Sequence, residues 1–493
     1  MRLRWCRQIR VTAIIAATAT LLSVAAETAS AHNVGSTRYD APIPPLLLFG
    51  GAAATVLLSG VVLALGERSG GVAPKLKDSR LGRSLARVRL PAVSPAVRAT
   101  VRGGFLIAFT GAVVHGLVGP TSAAENAVTI VVWSLWLRGL ALLATLGGNV
   151  WPTLSPWRTV YDGLCRLEGE EIRVVGGISD RVADAVALFG FLIGVGVIAT
   201  LTTAPRDPRS TAGLVLAYAA VMLVGGVCFG HEWFDRADFV GAFYRILARV
   251  APIYTREKDA TDTAGSGRRL RTPWAGALRP VANGWTVLLV VAAVYVVSFD
   301  GFTNTPEFQT LLDELRASVG VGPEGSLLMF VVGYGLFVGA FLAVVRIAAK
   351  LGTAHGVRST ASTGGGAEGE STASAARAFA PTLVPIAAAY EVAHNYPYVA
   401  TSLGQLVPLV AEPFGLVVGS VDPLGWLPLA AFWASQVVLV VVGHLFAVVA
   451  AHAVASRRYP DRTLISHTPL LVVMVAYTVI SLWIVSRPVV TFG

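Results

Sequence analysis

The sequence predicts an all-α, polytopic helical integral membrane protein, with about ten transmembrane helices behind a cleavable signal peptide. Three observations carry this. Of 493 residues, 54% are hydrophobic and only 14% charged, against about 25% charged in an ordinary soluble domain. The apolar residues gather in runs near the ~20 residues that a helix needs to span hydrocarbon. Lys and Arg crowd into alternate connections between those runs, as the positive-inside rule requires.

The elements follow in chain order. Residues 1–31 read as a signal peptide: "MRLRWCRQIR" is a basic start, "VTAIIAATATLLSVAA" an apolar core, and Ala29-Ser30-Ala31 a small-residue cleavage site. Cleavage there makes His32 the first mature residue. An uncleaved anchor helix is the alternative. Spanning runs lie near 43–66, 103–119, 126–146, 183–204, 211–231, 280–298, 325–348, 378–400, 427–455 and 469–486. The stretch 407–428 reads as a re-entrant or interfacial piece, and 306–318 as a short helix in the largest outer loop, 299–325.

With the mature N-terminus outside, the connections 67–102, 147–182, 232–279, 349–377 and 456–468 are cytoplasmic and hold 28 Lys or Arg. The outer segments hold five: Arg38, Arg206, Arg209, Arg316 and Arg487. This places the protein in the plasma membrane with both mature termini outside. It also accounts for the net charge of +10 through contact with anionic lipids at the inner leaflet, with no nucleic acid as partner. On the cytoplasmic side, Trp151 and Trp157 suit headgroup-level anchors. The stretch 234–254 suits an amphipathic interfacial helix, with Phe239, Phe243 and Leu247 at four-residue spacing. A Gly/Ser/Thr-rich linker within 351–377 divides a membrane bundle over 32–350, helices 1–7, from a second over 378–493, helices 8–10.

Polar residues inside the spans are the site candidates, because intramembrane ionisable groups are costly and mark sites or pathways. Glu391 and His394 form a Glu-x-x-His pair on one face of the eighth helix. Arg138 on the third helix lies at a depth matching Glu391 and is its candidate ion partner or relay. His115 and His444 fall in the same outer-to-middle layer, and His32 starts on the outer side. Imidazoles suit copper or zinc, so His32, His115, His394, His444 and Glu391 form a candidate metal set, with His32 also able to offer a terminal amine and ring to one copper ion. His231, His452 and His467 form a second group at the inner boundary, read as hydrogen-bonding residues. Pro381, Pro385 and Pro397 on the eighth helix free backbone carbonyls near the polar layer, as in transporters with broken helices. Cys6, Cys165 and Cys228 build no disulfide framework. Phosphate-loop, His-Glu-x-x-His and Gly-x-Ser-x-Gly motifs do not occur.

Four stretches together, "SAHNVGSTRYDAPIPPLLLFGGAAA" (30–54), "GHEWFDRADFVGAFYRILARVAPI" (230–253), "PIAAAYEVAHNYPYV" (385–399) and "GHLFAVVAAHAVASRRYPDRTLISHTPLLVVMVAYTV" (443–479), resemble a family of prokaryotic polytopic membrane proteins often labelled fenitrothion hydrolase. Asn33 stands where the family pattern has Gly. The resemblance implies a signal peptide and a multi-helix membrane protein with these polar positions. The label implies hydrolysis of an organophosphate triester by a metal-activated water. Three functions are therefore expected: copper-like metal binding or transport, phosphotriester hydrolysis, or proton-coupled solute transport with Glu391 and His394 as relay.

Overall fold

The structure, a computed structural model, describes residues 44–68, 84–85, 87–256, 267–353, 371–419 and 421–487. The expected signal peptide over 1–31, His32, His355 and most of the expected Gly/Ser/Thr-rich linker lie outside the described residues. Among those described, nine helices are long and apolar enough to cross a membrane. The protein is a multi-pass helical membrane protein.

The helices, in chain order, are α1 (Pro45–Arg68), α2 (Pro95–Val118), α3 (Ala127–Gly147), α4 (Pro156–Glu168), α5 (Asp180–Leu201), α6 (Pro208–Phe229), α7 (Phe239–Leu247), α8 (Gly284–Thr303), α9 (Pro306–Val319), α10 (Gly325–Thr353), α11 (Thr372–Phe379), α12 (Val384–Ala411), α13 (Leu429–Arg458) and α14 (Thr463–Val485). The spanning set is α1, α2, α3, α5, α6, α8, α10, α13 and α14. Ten spans were expected. The one that is not apolar enough is α12, which is 28 residues long and carries Glu391, His394, Asn395 and three tyrosines. That polarity is tolerable because α12 sits against α3, α8 and α13, so its face with Glu391 and Asn395 meets protein instead of lipid.

Burial sorts the helices. α8 buries 83% of its apolar window and α3 67%, whereas α10 buries only 17%. The first two therefore form the centre, and α10 gives most of its surface to lipid. Prolines and caps set the helix starts. Ser94 caps α2, Asp207 caps α6 and Asn283 caps α8, each accepting a bond from a first-turn N–H that would otherwise be orphaned. Pro381 and Pro385 fall at the entry to α12, where a missing N–H costs nothing. Of the three prolines expected to free carbonyls, only Pro397 lies inside the helix, with Pro408 further on.

Two sequence expectations are corrected. Residues 234–254 do not form an amphipathic helix along the interface. A π turn (Trp233–Ala237) leads into α7, which is buried on nearly every side, against α3 and α5. Trp151 and Trp157 are not headgroup anchors either; each is 2% exposed. Their indole N–H groups both donate to Asp238 Oδ2, at 2.8 and 3.1 Å. Tyr218 OH and the Gly241 N–H donate to Asp238 Oδ1, at 2.6 and 2.9 Å. One buried carboxylate thus satisfies four donors, and that is why two tryptophans are interior here.

After α12, the stretch over 415–428 is non-helical where described. It doubles back so that the Val421 carbonyl meets α12 at Gly404, where a Cβ would lie 2.0 Å from that oxygen. A three-stranded antiparallel patch, β1 (Arg89–Leu90), β3 (Gly267–Leu270) and β2 (Ile253–Arg256) in that order, closes the basic end. The linker does not separate two cores: α12, α13 and α14 pack on α1, α3, α8 and α10, and one apolar cluster runs from Val56 to Met474.

Candidate functional site

The site is a buried ionic cluster joining α3, α8 and α12. Arg138 projects from a ten-residue π-helical segment of α3, Ile130–Gly139. Such segments put an extra residue into a turn and recur at functional sites. Its guanidinium, 1% exposed, reaches both neighbours. Nη1 donates to Glu391 Oε1 and Oε2 at 3.2 and 3.3 Å, and Nη2 donates to Asp300 Oδ2 at 3.3 Å. The same Asp300 oxygen lies 3.4 Å from His394 Nε2. Asp300, with a side chain 2% exposed, belongs to the last turn of α8. There its carbonyl also accepts from Thr303 Oγ1 and Asn304 Nδ2, each at 2.8 Å.

The cluster has a buried side and an open side. Glu391 is 1% exposed and faces α3, whereas the His394 side chain is 24% exposed. Three-residue spacing on α12 puts both on one face, so His394 is the edge through which the interior charges meet their surroundings. Neighbouring bonds fix the frame. Ser134 Oγ donates to the Tyr398 carbonyl at 3.4 Å, tying the π segment to α12. Asn395 Nδ2 donates to the Glu391 carbonyl at 3.1 Å, and Tyr244 OH donates to the carbonyls of Trp136 and Leu137 beside Arg138.

The cluster gathers Arg138, Glu391 and His394 from the sequence-level candidates and adds Asp300. It does not gather His115 or His444. The His115 ring is used in a turn: its Nδ1 accepts from the Ala127 N–H at 3.1 Å, and Asn126 Nδ2 donates to the His115 carbonyl at 3.0 Å. His444 Nδ1 donates to the Val440 carbonyl at 2.8 Å, and its ring packs 5.8 Å from that of Tyr477. Among the described residues no three His, Cys, Asp or Glu side chains are grouped so as to hold a metal ion. Of the expected copper or zinc set, Glu391 and His394 share the cluster, with Glu391 engaged by Arg138, His115 and His444 are engaged elsewhere, and His32 lies outside the described residues. His231, in the second histidine group, bridges Glu171 and Asp162, at 2.9 Å each, and His452 and His467 pack edge to face at 5.2 Å.

Asp300 was the residue that sequence reasoning missed. The apolar run fades at 298, so the aspartate reads as the second residue of the outer loop 299–325; the helix in fact continues to Thr303. The available signal was the uncompensated pairing: a buried arginine with two free donor edges has room for a second carboxylate.

These features define a polytopic helical membrane protein with a charged site inside its bundle. No family model, curated protein or solved structure matches the chain.

Proposed function

We propose that the protein is a proton-coupled membrane transporter in which Glu391, Asp300 and His394 carry the proton and Arg138 is the fixed countercharge. The observation behind this reading is the charge count of the buried cluster. One guanidinium faces two carboxylates, so the trio bears one net negative charge when both are ionised, and burying an unbalanced charge is costly. One proton removes the imbalance. It enters through His394, the half-open member, and passes to Asp300, whose Oδ2 both His394 and Arg138 reach.

Two states follow. With the proton on His394, the four groups form a neutral, fully paired set. With the proton on Asp300, Arg138 is held by Glu391 alone and the link from α3 to α8 weakens. A proton thus alters how α8 is tied to α3, and a change in how helices are tied together is how ion binding can drive alternating access.

Proteoliposomes containing the full chain and an entrapped pH-sensitive dye test the reading. An imposed pH gradient is followed without and with added solutes, beginning with copper and zinc ions because of the scattered histidines. Cluster-dependent proton flux is expected, with Asp300→Asn and Glu391→Gln each lowering it about ten-fold or more, and His394→Asn, which removes the half-open member, lowering it as well. Flux that matches protein-free vesicles under every condition, or that both carboxylate variants leave unchanged, overturns it.

A further inference from the structure

Three arginines meet where the bundle ends on its basic side. Arg249 lies in the single turn Ala248–Val250 after α7, Arg271 directly after β3, and Arg279 shortly before α8 begins at Gly284. The backbone draws them together. Arg249 Nη2 donates to the Arg279 carbonyl. Arg271 Nε and Nη2 donate to the carbonyls of Ala251 and Ala248 at 3.0 and 2.6 Å, on either side of Arg249. At Gly276 the chain passes so close to the Arg249 carbonyl that a Cβ there would collide with the oxygen. Glycine at that position is what lets the turn with Arg271 and Arg279 lie on Arg249. Gly148, next after the last residue of α3, rests on the Ile253 carbonyl of β2, where a Cβ would stand 2.8 Å from the oxygen. The trio therefore sits at the ends of α3 and α8, both membrane spans, at the level of a bilayer's polar headgroups.

The charges around the trio are unbalanced. One turn earlier on α7, Arg245 has Asp238, Asp235 and Asp184 near it. The charged groups that act on Arg249 are Arg271 and Arg279, and the one that acts on Arg271 is Arg279. Among the described residues no Asp or Glu does so for either. The Arg271 guanidinium lies over the Tyr254 ring, 5.0 Å from its centroid, a contact that steadies a cation without neutralising it. Burial, and then repulsion from the neighbouring arginines, hold Arg249 and Arg271 down from the usual arginine range to about 10 each. Both stay charged at neutral pH, and partly buried like charges are costly without an anion between them.

The donors decide which anion fits. A guanidinium has five N–H groups. Arg249 uses one on a carbonyl, Arg271 uses two, and the exposed Arg279 side chain uses none among the described residues. A carboxylate offers two oxygens in one plane, which suits a single fork. A phosphate offers oxygens in tetrahedral directions and can be met from three sides. We propose that Arg249, Arg271 and Arg279 form a binding site for a phosphate group at the membrane edge. N–H groups of all three guanidiniums donate to its oxygens, and its charge offsets their repulsion. A lipid headgroup and a small soluble phosphate compound present this same chemistry. The site shares no residue with the ionic cluster of α3, α8 and α12, so it stands whether or not that cluster moves protons.

The test is isothermal titration calorimetry of the full chain in maltoside micelles at fixed ionic strength. Inorganic phosphate and dioctanoyl phosphatidylglycerol are the two separate probes. Saturable, stoichiometric binding of at least one is expected. Arg271→Gln and Arg279→Gln should each weaken it about ten-fold or more, through loss of one set of charge-assisted hydrogen bonds. The exposed Arg279 side chain supports no contact among the described residues, so Arg279→Gln decides the matter even if Arg271→Gln fails to fold. Arg346→Gln removes an exposed cation from the last turns of α10 and should leave the affinity unchanged. Tighter binding of phosphatidylglycerol assigns the site to a lipid headgroup, and tighter binding of inorganic phosphate assigns it to a soluble phosphate compound. No saturable binding of either probe, unchanged affinity in Arg279→Gln, or an equal loss in Arg346→Gln overturns the site.

Discussion

At the scale of single residues, Arg138 holds the most consequential position. Its two donor edges serve two carboxylates from different helices, so its loss strands both anions in the interior. Replacing one partner of a buried ion pair typically costs about 3–5 kcal/mol, and Arg138→Met is expected to destabilise by that amount in reversible unfolding from mixed micelles. The triple variant Arg138→Met, Glu391→Gln, Asp300→Asn removes all three charges and should recover most of the loss. If the triple variant is no more stable than Arg138→Met alone, repulsion between stranded carboxylates is not the cause. Glu391 and Arg138 were legible in the sequence, because ionisable residues deep in apolar runs stand out and orientation assigns them depths. Asp300 was not, since nothing in a fading apolar run says where its helix ends. His115 and His444 sit in the right layer by depth, yet depth carries no information about the direction in which a side chain points. Asp238 was hidden for a related reason: its four donors come from positions 151, 157, 218 and 241, which only the fold brings together.

At the scale of elements, long apolar runs made the spanning helices readable. The segments between α3 and α8 were the least readable part, because buried short helices and interfacial amphipathic helices share a periodicity. α7 has the apolar spacing of an interfacial helix, and only its packing against α3 and α5 shows where it lies. The connection between α4 and α5 is held by another polar knot outside the spans. The backbone N–H of His231 and then its ring bond to Glu171, both at 2.9 Å, and hold that carboxyl down from its ordinary 4.5 to about 2. Asp162 accepts from Arg102 at 2.5 Å and faces His231 Nε2. Burial opposes its ionisation, but those bonds keep it below the usual carboxylate range. Arg173 and Glu232 complete the surroundings. A depressed carboxylate contributes stability that is complete above its unfolded pKa and is lost as pH falls through the folded one. The connection should therefore loosen as pH falls from about 4.5 to about 2. Hydrogen exchange reads this at the amides of Val174 and Val175, which bond to the carbonyls of Val227 and Cys228 at 3.0 and 2.9 Å. Protection factors there should fall a few-fold across that range. Glu171→Gln should show the lower value already at pH 6, and equal protection in the two proteins at pH 6 would sink the assignment.

At the scale of the whole molecule, the question is whether the chain is one folding body or two joined by the linker. Sequence composition argues for two, since the Gly/Ser/Thr-rich stretch reads as a boundary. The packing argues for one. α12 and α13, from the C-terminal part, touch α1, α3 and α8 from the N-terminal part, and the ionic cluster takes Arg138 and Asp300 from one part and Glu391 and His394 from the other. Neither part alone can satisfy that cluster. The N-terminal part would keep a buried arginine with one carboxylate, and the C-terminal part would expose Glu391 to lipid. A chain cut within 354–370 should therefore still assemble when its two parts are expressed together, because cutting there removes none of these contacts. Co-expressed parts, with an affinity tag on residues 371–493 only, should copurify in about equal amounts. Arg138→Met in the N-terminal part should lower recovery several-fold, since across a cut the cluster must be satisfied by association alone. Folding of the tagged C-terminal part in isolation, with helicity and stability equal to those in the assembled pair, would instead establish two independent bodies. The cluster would then be a contact between domains, formed after each has folded.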